Sequence, residues 1–206
     1  MRTRAAALRK SSSFNIVFTL AVVIGLAASI QAYAVKPYKI PSGSMEPTLQ
    51  LGDRVLVNRF SHRLGASPQV GQVVVFTPPA GAEASQCGTP SEGGATATPC
   101  DRATPGRSAT TFIKRVVGVA GDRIAIRDGH VIRNGVLAHE PFAAPCGGAL
   151  DCTFANTITI PRGDVYVMGD NRGNSDDSRF WGPVPIGSVI GRAFFIYWPP
   201  DHARTL

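Results

Sequence analysis

The chain has 206 residues, of which 44% are hydrophobic and 17% charged, with 22 glycines and 16 prolines. That mixture excludes a disordered chain and fits a compact, turn-rich β protein better than a helical bundle. The net charge of +7 is uneven: Arg2, Arg4, Arg9 and Lys10 stand before residue 36 with no acid among them, leaving 17 basic and 14 acidic side chains after it. The folded part lacks a basic, aromatic-interleaved patch, so no nucleic-acid partner is expected.

Residues 1–13 read as a basic head and Phe14 to Val35 as a run of 22 residues without a charge. At about 1.5 Å per residue, a helix of that length crosses a hydrocarbon core of about 30 Å. Basic heads stay in the cytoplasm, which predicts a single-pass anchor at 14–35 in the inner membrane. Residues 36–206 then form a β-rich region on its extracytoplasmic, periplasmic side, with the lipid bilayer as a partner. The same residues also read as a cleavable leader, with an apolar stretch from Ile16 to Ile30 and small residues two apart in Ala32-Tyr33-Ala34. Both readings put the remainder outside the cytoplasm. Cys87, Cys100, Cys146 and Cys152 agree with an oxidising compartment, and pairing of neighbours is the simplest of three connectivities. No histidine stands at zinc-ligand spacing from them, so neither a metal nor a cofactor is expected.

Strands follow in order. Arg54 to Phe60 alternates loosely, Gln72 to Phe76 is a short apolar run, and Phe112 to Val119 is a longer one. Arg123 to Ile126 and Val131-Ile132 flank Asp128-Gly129 as a hairpin, and Asn134-Gly135 marks a second turn. Thr157 to Ile160, Val165 to Met168 and Val189 to Trp198 complete the set. Residues 77–110 are rich in small and polar residues and read as an insertion pinned by Cys87 and Cys100. Residues of about 125–158 read as a small inserted subdomain. The fold expected is mainly β.

Three stretches carry chemistry. In Pro41-Ser42-Gly43-Ser44-Met45-Glu46-Pro47, prolines and a glycine fix the backbone and present Ser44. Its N–H and the Ser42 hydroxyl are positioned to serve as oxyanion donors. In Phe112-Ile113-Lys114-Arg115-Val116, strand alternation puts Lys114 on one face with Phe112 and Val116. An amine between apolar neighbours is desolvated, which favours its neutral form and suits a general base. Met168 to Pro183 is a polar loop after a strand. Arg172 and Trp181 stand where a calcium loop needs ligands, so the loop is read as orienting a catalytic side chain. No Gly-x-Ser-x-Gly elbow occurs, and His62, His130, His139 and His202 have no distinctive setting.

Together these stretches resemble bacterial type I signal peptidase, the Ser/Lys leader peptidase family. The matching segments are Ile40 to Leu49, Phe112 to Gly118 with Gly121-Asp122, and Gly169 to Pro185, in that order and after an anchor. The resemblance implies a signal-peptidase-like β-sheet catalytic domain that cuts signal peptides from exported preproteins at Ala-x-Ala-type sites. It implies Ser44 as nucleophile, Lys114 as general base, Ser42 and Ser44 as oxyanion hole, and Ser175 as the residue that orients the lysine. It also implies a supporting Asp177–Arg179 ion pair, and shallow pockets lined by Ile40, Pro41, Met45, Leu49, Phe112 and Ile113. The Cys146–Cys152 loop resembles a disulfide of some members. Gly173 departs from the family pattern, where Asp is common. Two alternatives stand beside this reading: another Ser/Lys protease, such as a self-cleaving regulator, or an anchored β-domain without catalysis.

Overall fold

The computed structural model describes residues 14–26, 34–60, 65–89, 98–147 and 152–206. Among these the protein is mainly β, in two antiparallel sheets. The larger contains β1 (Val35–Lys39), β2 (Arg54–Asn58), β3 (Val73–Phe76), β4 (Phe112–Val119), β9 (Asp164–Met168), β10 (Val184–Pro185), β11 (Val189–Trp198) and β12 (Arg204–Thr205). Its order is β1-β2-β11-β3-β4-β9-β10, with β12 also paired to β11. The smaller contains β5 (Arg123–Arg127), β6 (His130–Arg133), β7 (Val136–Leu137) and β8 (Phe154–Thr159), in the order β7-β6-β5-β8. It is inserted between β4 and β9.

The hairpin turns have the chemistry their residues dictate. Asp128-Gly129 and Asn134-Gly135 both have positive φ at both positions, which matches the twist of the strands they join. Alternation on β3 and β4 sends side chains to two cores. Val73, Val75 and Ile113 pack with Val55, Val57 and Ile196 on one face. Val74, Phe76, Phe112 and Val116 pack with Val167 and Trp181 on the other. A third core lies under the smaller sheet, around Ile124, Ile126, Phe154 and Tyr166.

One expected boundary changes. Val35 was expected in the anchor, but it opens β1 and pairs with Asn58. Its strand, Val-Lys-Pro-Tyr-Lys, escapes a reading by hydrophobicity because the apolar run ends at its first residue and two lysines and a proline follow. Pro37, which cannot donate to a ladder, is tolerated because β1 is an edge strand. Residues 14–26 are helical, but among the described residues no helix is long and apolar enough to cross a membrane. The head at 1–13 and the rest of the expected span, 27–33, lie outside the described residues. So do 90–97 of the insertion and 148–151 of the second cysteine loop.

Candidate active site

Ser44 sits in the 3-10 turn Gly43–Met45. The turn is anchored from below by Met45, Leu49 and Ile40, all fully buried in the first core. It is anchored from the side by Asn171, whose backbone N–H donates to the Ser44 carbonyl (3.1 Å) and whose side-chain amide donates to the Gly43 carbonyl (3.1 Å). These bonds hold the main chain and leave the Ser44 side chain half exposed, with its Oγ 3.4 Å from Ser42 Oγ.

Lys114 comes from β4, where it pairs with Val74 and shares a face with Phe112 and Val116. The strand places the amine deep: the residue is 4% exposed. Its Nζ donates to Ser175 Oγ at 2.9 Å. Burial lowers its pKa to about 8, while Asp177, Asp176 and Asp170 act to raise it and Arg179 to lower it. Desolvation wins, and two of the three acids, Asp177 and Asp170, are engaged by cations of their own, Arg179 and Arg115.

The loop after β9 supplies that arrangement. Asp177 caps the short helix Ser178–Trp181 and accepts from the Arg179 N–H (3.2 Å) and the Gly169 N–H (3.0 Å). The Arg179 guanidinium grips both Asp177 oxygens, Nε at 2.8 Å and Nη2 at 2.9 Å, and donates to the carbonyls of Arg172 and Ser175. Burial would raise the Asp177 carboxyl, but Arg179 and Lys114 hold it below its ordinary range. Ser175 is thus fixed through its own carbonyl. Gly169 is equally constrained. A Cβ there would lie 2.2 Å from Ser175 Oγ and 2.4 Å from the Ser44 carbonyl, so only hydrogen fits between the two serines.

Ser44 and Lys114 border one groove of about 570 Å³, together with Pro41, Ser42, Phe112 and Ile113. Among the described residues Lys114 Nζ bonds Ser175 and not Ser44. Ile40, Met45 and Leu49, expected as pocket walls, do not line the groove. Their turn points them into the core, where they fix the backbone under Ser44. Cys87 is bonded to Cys100 and Cys146 to Cys152. No group of three or more potential metal ligands occurs among the described residues.

Two buried ion pairs escaped sequence reasoning. Arg115, next to the lysine but on the opposite side of β4, chelates Asp170 at 2.8 and 2.7 Å and lies over the Phe142 ring. Asp170 also accepts from Thr48. Arg172 grips Glu140 at 2.9 and 2.8 Å and reaches the Gly129 carbonyl, fastening the loop to the smaller sheet. Asn171 was likewise missed, although it lies in the loop singled out by its polar residues.

Comparison with known proteins shows the family of the chain. The family model described as "Signal peptidase, peptidase S26" matches residues 13–198. A probable signal peptidase I-2 of Synechocystis sp. is 33% identical over 188 residues, covering 91% of this chain and 74% of that protein. A signal peptidase I of Leptolyngbya laminosa is 33% identical, covering 91% and 81%. The thylakoidal processing peptidase 1 of Arabidopsis thaliana is 36% identical over 81% of this chain and 43% of its own length. A crystal structure of a signal peptidase I from Enterococcus faecalis aligns over 62% of this chain and 97% of that one at 24% identity, with a TM-score of 0.40, too slight a likeness to carry an argument. The chain belongs to the signal peptidase family, peptidase S26.

Proposed function

We propose that this signal peptidase frees exported preproteins of their signal peptides with Ser44 as nucleophile and Lys114 as general base. The observation that carries the reading is a buried amine, with a pKa of about 8, on the same groove as a serine presented by a fixed turn. An extended substrate strand lies in the groove with its scissile carbonyl over Ser44. Neutral Lys114 takes the proton of Ser44 Oγ as that oxygen attacks the carbonyl carbon. The Ser44 N–H and the Ser42 hydroxyl hold the oxyanion. Protonated Lys114 gives its proton to the leaving amine, and the acyl-enzyme is then hydrolysed by water that the neutral lysine deprotonates. The bond of Lys114 to Ser175 supports its orientation. Attack requires the amine to reach Ser44 as well, in keeping with catalytic hydrogen bonds that tighten only when substrate binds.

Pro41, Phe112 and Ile113 give the groove apolar walls suited to small side chains. Ile40, Met45 and Leu49 act behind them. The helical residues 14–26 are exposed on every side although they include Phe14, Ile16, Phe18, Leu20 and Ile24. A helix apolar all round suits lipid. With the basic head before it, this supports a single-pass anchor and an extracytoplasmic catalytic region, where the two disulfides persist. The test is turnover of a preprotein with an Ala-x-Ala site. Ser44→Ala and Lys114→Met are each expected to lose at least about 10³-fold in kcat/KM with no loss of thermal stability. Wild-type-like cleavage by either variant refutes the assignment.

A further inference from the structure

Residues 199–206 lie past the stretch that the family model matches, 13–198, and none of these described residues lines the groove. They nevertheless reach the segment that carries Ser44. That segment, residues 40–53 between β1 and β2, is a closed loop. The Ile40 N–H donates to the Asp53 carbonyl (2.8 Å), and the Gly52 N–H donates to the Ile40 carbonyl (2.9 Å). Inside the loop, the Glu46 N–H donates to the Gly43 carbonyl (3.1 Å) and the Leu49 N–H to the Met45 carbonyl (2.8 Å). These successive turns couple residues 48 and 49 to the backbone that presents Ser44.

Three side chains of 199–206 bear on that loop. Arg204, on β12, donates from Nη2 to the Thr48 carbonyl at 2.7 Å. The Thr48 hydroxyl is bonded to Asp170, itself chelated by Arg115, so Thr48 is held at two points. His202, which closes the 3-10 turn Pro200–His202, places Nδ1 2.8 Å from Asp53 Oδ1. Asp53 is 2% exposed, and its other oxygen accepts from the Gln50 N–H at 2.9 Å. A buried carboxylate needs both partners, and this one sits where the loop closes. Leu206 packs against the first core, which contains Ile40, Met45 and Leu49. The segment is itself rooted in the larger sheet: Phe195 pairs with Thr205, Ile196 pairs with Arg204, and the Leu206 N–H donates to the Phe194 carbonyl (3.0 Å).

We infer that residues 199–206 form a strap that positions the nucleophile, with Arg204 and His202 as positioning residues for Ser44. The inference rests on the peptidase reading. Asn171 fixes the carbonyls of Gly43 and Ser44, and the strap fixes the later part of the same loop. An exposed bond such as that of Arg204 adds little to stability. A displacement of the reacting oxygen by about 1 Å, however, costs up to about 100-fold in rate. The signature of the strap is therefore a fall in kcat out of proportion to the change in stability.

The experiment compares the full chain with its variants Arg204→Ala, Arg204→Lys and His202→Ala on a peptide with one Ala-x-Ala site, well below every unfolding midpoint. Arg204 is exposed, so its replacement leaves the fold intact. Arg204→Ala should lose about tenfold in kcat, with KM within about twofold and the midpoint within about 2 °C of wild type. Arg204→Lys, which keeps a charged donor, should recover most of the loss. His202→Ala should lower kcat too, and should also lower the midpoint, because it strips buried Asp53 of a partner. The pH inflection near 8 should not move in Arg204→Ala, since the strap acts on Ser44 and not on Lys114. A kcat for Arg204→Ala within about twofold of wild type, a loss that Arg204→Lys does not relieve, or a displaced inflection overturns the strap. If wild type cuts no such peptide, the peptidase reading fails. The strap is then decided by amide hydrogen exchange: protection of the Glu46 and Leu49 N–H groups that is undiminished in Arg204→Ala overturns it.

Discussion

The loop from Gly169 to Gly182 and the insertion at 77–110 border the same groove, yet they are held by different forces. In the loop, Asp170, Arg172, Asp177 and Arg179 are nearly or wholly buried, and each is tied by paired charge-assisted bonds. In the insertion, Cys87 and Cys100 make a covalent staple, and exposed Glu83 collects the hydroxyls of Ser108 and Thr110. Surface contacts of that kind add little stability. The insertion touches the loop through the Cys100 N–H, which donates to the Arg179 carbonyl at 2.9 Å. The loop must place Ser175 to a fraction of an ångström, whereas the insertion need only stand in roughly the right place. Fixed charges provide the first, and a crosslink suffices for the second.

Breaking the loop's charges should have the largest effect. Asp177→Ala leaves the Arg179 guanidinium buried without its carboxylate, and about 3–5 kcal/mol of stability should be lost on denaturant unfolding. A loss below about 1 kcal/mol would mean that the pair is not what holds the loop. Gly169→Ala should cost stability as well, because its Cβ would meet the Ser44 carbonyl at 2.4 Å, and should force Ser175 away from Lys114, lowering kcat/KM by about 100-fold. Activity within a factor of two of wild type would show that the serine can yield.

The pH profile sharpens the comparison next. In the proposed mechanism the neutral amine is the active form, so log kcat/KM should rise with pH and level above about 8. An inflection near the free-lysine value of about 10.4 would contradict a desolvated base. Because the folded pKa is lowered, the folded state binds fewer protons than the unfolded chain between these two values. The lysine therefore adds stability as pH rises through that window. The smallest effect is expected from the double substitution Cys87→Ser with Cys100→Ser. It should remove at most about 3 kcal/mol of stability and change cleavage of a neutral substrate by no more than about threefold.

Ser44 and Lys114, the proposed pair, stand out in the sequence because each sits in a short stretch whose local chemistry is unusual: a serine among prolines and glycine, and a lone lysine in an apolar strand. The strands were readable for a related reason, since alternation is a local property. Pairing is not local. Arg115 meets Asp170 from 55 positions away, and Arg172 meets Glu140 from 32. Nothing within a window of ten residues distinguishes these arginines from exposed ones. Asn171 is similar: its role depends on the Gly43 carbonyl, 128 positions earlier. Ile40, Met45 and Leu49 illustrate the converse. Their apolar character was plain, but whether they face a groove or a core depends on how the turn lies on the sheet.

Lys114 stands on β4, an interior strand laced on both sides to β3 and β9. The proposed proton acceptor is therefore part of the framework, not of the segments that drape over it. The rim of the groove that 77–110 supplies at Thr110 can be redrawn while the lysine stays where the ladder puts it.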